Sequence, residues 1–287
     1  MPSKFVLSMI TAHVGTPPMT VDPIRVVVTG ATGYVGRALV AAILQRPDFH
    51  LVAAVSRTNV GRDVGVDEPS GVHISNDIHE ALAAGPQVLI DYSAPEPAMK
   101  WYRAAVEAGV AVVAATTALD PTELGRVGDL AAANGVGVFV ASNLTTTGHL
   151  MMRCAELVAG YVGDVEIVEG HPSAKPDSPS GTARETAARI NAVEAPPPTR
   201  DETRLGARES RGAQAGRVRI HSLRLPGLVD HQEVIFSRPG ELLTIRTESM
   251  SPAAFVEPTL QAAKLVLRER GLVHDLPGIY EPQHIEA

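Results

Sequence analysis

The sequence predicts an α/β chain. A doubly wound parallel sheet is followed by an α+β second domain with a mixed, mostly antiparallel sheet. Three observations predict it. Apolar, largely β-branched runs alternate with helical patterns over the first half of the chain, as parallel strands covered on both faces do. A glycine-rich loop joins the first such run to the first helical pattern. Beyond Asn143 the alternation stops, and three strand-like runs follow one another without helices between them.

The first run, Ile24 to Thr29, leads into Gly30-Ala31-Thr32-Gly33-Tyr34-Val35-Gly36 and then a helical pattern from Arg37 to Gln45. Glycine at position 30 permits a tight turn, and Gly33 lets the backbone approach a pyrophosphate. Gly36 allows close helix–strand packing, with the helix N-terminus turned to the phosphates. Between a buried strand and a helix, this loop marks a Rossmann-like dinucleotide site rather than a phosphate-free turn. Gly30, Thr32, Gly33, Tyr34, Val35 and Gly36 are therefore cofactor-binding candidates.

The second strand, Leu51 to Val55, ends in Ser56-Arg57-Thr58. An acidic residue here would hold the ribose of NAD. Instead Ser56 and Thr58 can donate hydrogen bonds, and Arg57 can meet a 2′-phosphate. NADPH is the expected cofactor, with NADH as a second; the other role for Arg57 is to stack on the adenine. Further strands are predicted at Val88–Asp91, Val110–Ala114 and Val136–Val140, with helices over Pro97–Ala108, carrying Trp101 and Val106 towards the sheet, and over Pro121–Asn134. Ser93, Thr116, Thr117 and Asn143 fall at strand C-terminal ends, where ligands of such sheets bind. They are candidates to line the nicotinamide pocket.

Gly148 to Val158 reads as helix and Val165 to Val168 as a strand entering Glu169-Gly170-His171-Pro172-Ser173-Ala174-Lys175-Pro176-Asp177-Ser178-Pro179-Ser180-Gly181-Thr182. In the helix from Thr182 to Ala192, Ala183, Ala187 and Ile190 share a face with Thr186 beside them. Ser180 or Thr182 can cap it, leaving amides to hold an anion. Lys175 would add charge to the same anion, and His171 can give up a proton near neutral pH. The other reading of this stretch is a polar, proline-rich surface loop. Residues 193–216, with Pro196-Pro197-Pro198, read as a mobile loop or lid. Strands are predicted at Val218–Leu225, Glu233–Ser237 and Leu242–Glu248, and a last helix over Ala253–Arg268 ahead of Gly278-Ile279-Tyr280.

This divides the 287 residues into a disordered extension (1–22), a dinucleotide-binding domain (24–143 and 252–287) and a substrate-binding and oligomerisation domain (144–251). A net charge of −7 argues against nucleic acid or an anionic membrane as the main partner. The apolar run Phe5 to Ile10 is too short to span a bilayer and makes no clear secretory signal. The single cysteine, Cys154, excludes an intrachain disulfide, fits a reducing cytoplasm and reads as a packed helix residue. No cysteine pair or closely spaced histidine pair offers a metal site.

The Gly30 to Gly36 loop, Asp91-Tyr92-Ser93-Ala94-Pro95-Glu96, Ala115-Thr116-Thr117-Ala118, His171 to Thr182 and Arg224-Leu225-Pro226-Gly227-Leu228-Val229-Asp230-His231-Gln232-Glu233 together resemble the dihydrodipicolinate reductase family. The likeness covers roughly residues 24 to 280, and its most specific part is Lys175 to Thr182. It implies NAD(P)H-dependent reduction of a cyclic imine dicarboxylate in lysine and diaminopimelate synthesis, by a homotetramer built through the second domain's sheet. His171 would be the general acid and Lys175 would stabilise developing charge. Ser180, Gly181 and Thr182 would bind a substrate carboxylate. The chain departs from the family pattern at Pro172, where a second histidine is usual. It departs again at Ala115 and Ala118, where glycines flank the two threonines, and at Leu144 and Thr147, which replace an aromatic and a glycine. These changes surround the pocket and leave two alternatives: the same scaffold acting on another cyclic imine or amino-acid-derived carboxylate, or a dinucleotide-binding protein without catalysis.

Overall fold

The structure is a computed structural model that describes residues 22–65, 67–199, 205–274 and 279–280. The expected extension lies outside the described residues except for Asp22, as do residues 200–204 of the expected loop.

Strand β1 (Ile24–Thr29) leads through the glycine loop into helix α1 (Tyr34–Leu44) and strand β2 (Phe49–Val55). Then come β3 (Ile74–Ser75), α2 (Ile78–Ala83), β4 (Val88–Asp91), α3 (Pro95–Glu107), β5 (Ala111–Ala114), α4 (Pro121–Asn134) and β6 (Gly137–Val140). The second half holds α5 (Thr146–Ala159), β7 (Asp164–His171), α6 (Gly181–Ala192), β8 (Ala213–Ala215), β9 (Val218–Arg224), β10 (Asp230–Arg238), β11 (Glu241–Ser249), α7 (Val256–Leu265) and β12 (Gly271–Val273).

The first sheet runs β12-β6-β5-β4-β1-β2-β3, and every neighbouring pair is parallel. The second runs β11-β10-β7-β9-β8, antiparallel except between β7 and β9. The expected class, a doubly wound parallel sheet plus a mixed second sheet, is what the chain adopts.

Alternation along the strands sets the layers. Val26, Val28, Ile90 and Val113 face Leu39, Val40 and Ile43 of α1 and Leu260 and Ala263 of α7. Val27, Leu89 and Val112 face Ala98, Tyr102 and Val106 of α3 and Val127 and Ala131 of α4. A third core joins Val165, Ile167, Ile220, Val234 and Phe236 of the second sheet to α5 and α6. Full burial of each large apolar side chain contributes about 1.5–3 kcal/mol, so these layers hold the strand ends rigidly in place.

Four elements escape the sequence reading: β3 with α2, β8, and β12. Within residues 193–216, β8 pairs with β9, and Thr199 donates from both its amide and its hydroxyl to the Asp164 carboxylate at 2.8 Å. β8 and Thr199 thus tie this segment to the second sheet. Cys154 is exposed, not packed. The buried stripe of α5 is Gly148, Met151, Met152, Ala155 and Ala159, which puts position 154 on the opposite side. Trp101 is only partly buried, while Val106 is fully so. Among the described residues, no helix is long and apolar enough to cross a membrane, and no group of three or more His, Cys, Asp or Glu could hold a metal ion.

Candidate active site

Strand order reverses beside β1, where the loops after β1 and β4 meet. Gly30 has φ +73°, and a Cβ there would lie 2.3 Å from the carbonyl oxygen of Tyr92. Glycine is required on both counts. A Cβ on Gly36 would lie 2.1 Å from the Gly30 carbonyl oxygen, so α1 could not pack against the loop with any larger residue. Gly33 is the N-cap of α1 and offers no side chain to its first amides. The helix start therefore faces outward as an anion site, which fits a pyrophosphate.

Beside this loop, hydroxyls gather at the end of β2. Thr32 Oγ1 lies 2.6 Å from Ser56 Oγ and 2.8 Å from Thr58 Oγ1. With the exposed Arg57 and the indole of Trp101 they line a cavity of about 240 Å³ with Gly30 and Gly33. Among the described residues, nothing acidic lines it. The lining of this cavity thus offers hydroxyl donors and one guanidinium.

Tyr92 and Ser93 also line a second, larger cavity of about 520 Å³. Its first-sheet wall includes Tyr34, Val35, Thr116, Thr117 and Asn143. Asp91 fixes this wall. Its buried carboxylate accepts from Thr29 Oγ1 (2.5 Å) and the Ser93 amide (3.0 Å) at one oxygen. The other oxygen accepts from Tyr102 Oη (2.5 Å) and Thr116 Oγ1 (2.6 Å). Four donors compensate the buried charge and tie the loops after β1, β4 and β5 together. Asn143 joins the halves: its Oδ1 accepts from the Thr145 amide at 2.9 Å, and its Nδ2 donates to Thr182 Oγ1 at 3.3 Å.

The opposite wall comes from the end of β7. Glu169 and His171 alternate with Gly170, so both side chains point the same way. Glu169 Oε2 lies 2.6 Å from His171 Nδ1, and Asp230, from the start of β10, places Oδ1 3.1 Å from Nε2. Glu169 is fully buried and accepts both terminal nitrogens of Arg224, at 3.0 and 2.9 Å, and the Ser180 amide at 3.3 Å. Burial raises its carboxyl, but hydrogen bonds from His171 and Arg224 outweigh this and bring it down to about 2. For His171, burial opposes the charged ring, yet hydrogen bonds to Asp230 and Glu169 lift its pKa above the ordinary histidine value.

The loop after β7 brings Lys175 to the same cavity, where Nζ rests 2.8 Å from Asp177 Oδ1. Ser180 is the N-cap of α6, accepting the Ala183 amide at 3.2 Å. Thr182 lies within the first turn instead, and the amides of Gly181 and Thr182 head the helix.

His171, Lys175, Ser180, Gly181, Thr182, Tyr34, Val35, Ser93, Thr116, Thr117 and Asn143 thus share the larger cavity. Gly30, Thr32, Gly33, Ser56, Arg57 and Thr58 share the smaller one, which Ser93 also borders. Gly36 lines neither, and its observed role is the close packing of α1 on the loop. No described residue of 193–216 lines the larger cavity. Sequence reasoning missed the supporting residues Asp91, Glu169, Arg224 and Asp230. For Glu169 a signal existed, two residues before His171 on a strand; Arg224 and Asp230 are brought in only by sheet pairing.

Residues 24–144 match the family described as dihydrodipicolinate reductase, N-terminus, and residues 147–284 match dihydrodipicolinate reductase, C-terminus. The chain is 41% identical over 266 residues to 4-hydroxy-tetrahydrodipicolinate reductase of Moorella thermoacetica, covering 90% of this chain and 98% of that protein. The enzyme of the same name from Symbiobacterium thermophilum is 38% identical over 268 residues, covering 91% and 99%. Among solved structures, dipicolinate-bound dihydrodipicolinate reductase from Paenisporosarcina sp. TG-14 aligns with TM-score 0.69 and 30% identity, covering 88% of this chain and 97% of that one.

Proposed function

The chain belongs to the dihydrodipicolinate reductase family, and from that premise we propose that it reduces a cyclic imine dicarboxylate of the dihydrodipicolinate type with NAD(P)H, in lysine and diaminopimelate biosynthesis. One observation carries this reading. His171, Lys175 and the head of α6 face the strand-end residues Ser93, Thr116 and Thr117 across a single cavity.

The nicotinamide cofactor, when bound, supplies the hydride. The glycine loop and the start of α1 would hold its phosphates, and Ser93, Thr116 and Thr117 would border its ring. His171 gives the proton from Nε2 while Glu169 retains the one on Nδ1, so the ring stays in one orientation as its charge changes. Lys175 leaves Asp177 to meet substrate charge, and the amides of Gly181 and Thr182, with the Ser180 hydroxyl, receive a carboxylate. Fixed donors of this kind act through orientation as much as through charge.

NADPH is the preferred cofactor in this reading, supported by Arg57 and the hydroxyls of Thr32, Ser56 and Thr58 beside the phosphate loop. The working form is a homotetramer joined through the second sheet. Its face away from α5 and α6 carries Leu223 and Leu242, which are 41% and 71% exposed. The single cysteine fits a reducing cytoplasm.

The test is NADPH oxidation followed at 340 nm with freshly generated 4-hydroxy-tetrahydrodipicolinate, beside NADPH binding by fluorescence. Turnover inhibited by dipicolinate supports the proposal; intact cofactor binding with no turnover overturns it.

A further inference from the structure

His171 is held at both ring nitrogens, and only one of its partners is part of the buried scaffold. Glu169 is fixed by Arg224 and by the Ser180 amide, out of reach of a ligand. Asp230 differs. Its side chain is 19% exposed, lines the larger cavity, and lies 3.1 Å from Nε2, the nitrogen assigned to give the proton. A carboxylate in an anion-binding cavity repels an anionic ligand, so its presence calls for a physical reason.

We propose that Asp230 is a positioning residue for the proton donor. Its carboxylate holds the Nε2–H of His171 in the empty site, keeps the ring doubly protonated and aimed into the cavity, and yields that hydrogen bond when substrate enters. This deepens the proposed function and rests on it. The proton moves only from Nε2 to substrate, and His171 is left neutral with Nδ1–H on Glu169.

The charged groups around the ring leave this role to Asp230. From β7 Glu169 takes Nδ1, and from β9 Arg224 neutralises Glu169. Lys175, on the loop after β7, opposes protonation of His171 but is itself held by Asp177. Asp230 of β10 is therefore the carboxylate whose charge reaches Nε2 without a competing guanidinium. Remove it, and the neutral ring gains against the imidazolium.

The experiment compares wild type with Asp230→Asn, Asp230→Ser and Asp230→Glu. The first readout is the titration of the His171 ring by NMR in the cofactor-free protein, its signal assigned by loss in His171→Gln. The second is the pH profile of kcat and KM. The expected result is a downward shift of the ring titration by about one pH unit in Asp230→Asn, mirrored in the alkaline limb of kcat/KM. KM should not rise, and Asp230→Glu should restore the limb at least in part. Asp230→Ser also removes the charge and gives the same reading should the asparagine variant not fold. An unmoved ring titration in a folded, uncharged variant overturns the proposal, even if activity falls. An inactive wild type would instead refute the proposed reaction, and the ring titration would still decide the role of Asp230.

Discussion

Gly181, at the head of α6, packs so tightly on Thr117 that a Cβ there would lie 2.5 Å from Cγ2 and 2.7 Å from Cβ of the threonine. The contact sets the spacing between the loop after β5 and the start of α6, which are the proposed nicotinamide-side loop and the proposed carboxylate site. Gly181→Ala should force the two apart, at a cost of about 1–3 kcal/mol in stability. It should lower kcat/KM about tenfold or more, because hydride transfer depends on that spacing. Thermal unfolding and steady-state kinetics test this; unchanged kinetics would show that the gap does not set the reaction geometry.

His171→Ala should reduce kcat by about 10²–10⁴-fold, the usual contribution of general acid catalysis. NADPH affinity should stay within about twofold, since the cofactor loop is built from the other sheet. Rate and dissociation constant are measured on the same preparation. A marked loss of cofactor binding would contradict the assigned role.

Ser56→Asp places a carboxylate beside Thr32 and Arg57. It should weaken NADPH more than NADH, by about 1.5–3 kcal/mol for a charged hydrogen bond lost, hence at least tenfold in the ratio of dissociation constants. Equal weakening of both would remove the 2′-phosphate argument.

The buried cluster sets opposite pH limits on stability. The Glu169 carboxyl is depressed from 4.5 to about 2. Its contribution is complete above pH 4.5 and is lost as pH falls through about 2. The His171 pKa is raised above 6.5, so its contribution is complete below pH 6.5 and disappears as pH rises through the folded-state value. Urea midpoints across pH should therefore be highest between about pH 4.5 and 6.5 as far as this pair governs them. Glu169→Gln should cost about 3–5 kcal/mol at neutral pH, by leaving Arg224 uncompensated, and should flatten the acid limb. An acid limb unchanged in that variant would assign the loss to other carboxylates.

Ala118 has φ +60°, in the left-handed region where a Cβ is strained. Ala118→Gly should stabilise the fold by about 1 kcal/mol, raising Tm by about 2–4 °C. A lower Tm would mean that the methyl makes contacts worth more than the strain.

Legibility followed how locally each element is encoded. The strands carrying the cofactor loops have long buried β-branched runs, and their positions could be read within one or two residues. Helix α1 starts at Tyr34 instead of Arg37 because the glycines that lower helix propensity also serve as its cap and packing point. Two-residue β3 and three-residue β8 and β12 show no period of their own; neighbouring strands impose their conformation. At the site, His171 and Lys175 stand out by residue type and spacing. Arg224 and Asp230 do not, since only the pairing of β7 with β9 and β10 brings them to Glu169 and His171. Cys154 lies on the exposed side of α5, against expectation, because an apolar-looking residue among methionines says little until the buried stripe of its helix is known.

The closing of the parallel sheet by Gly271–Val273 against β6 has a consequence for synthesis. On the ribosome, β6 emerges with one side of its backbone unpaired, an adhesive edge. It stays so while the whole second sheet is being translated. Nor can α7 cover its face of the first sheet any earlier. The first sheet is thus completed last, by residues made after the whole of the second sheet.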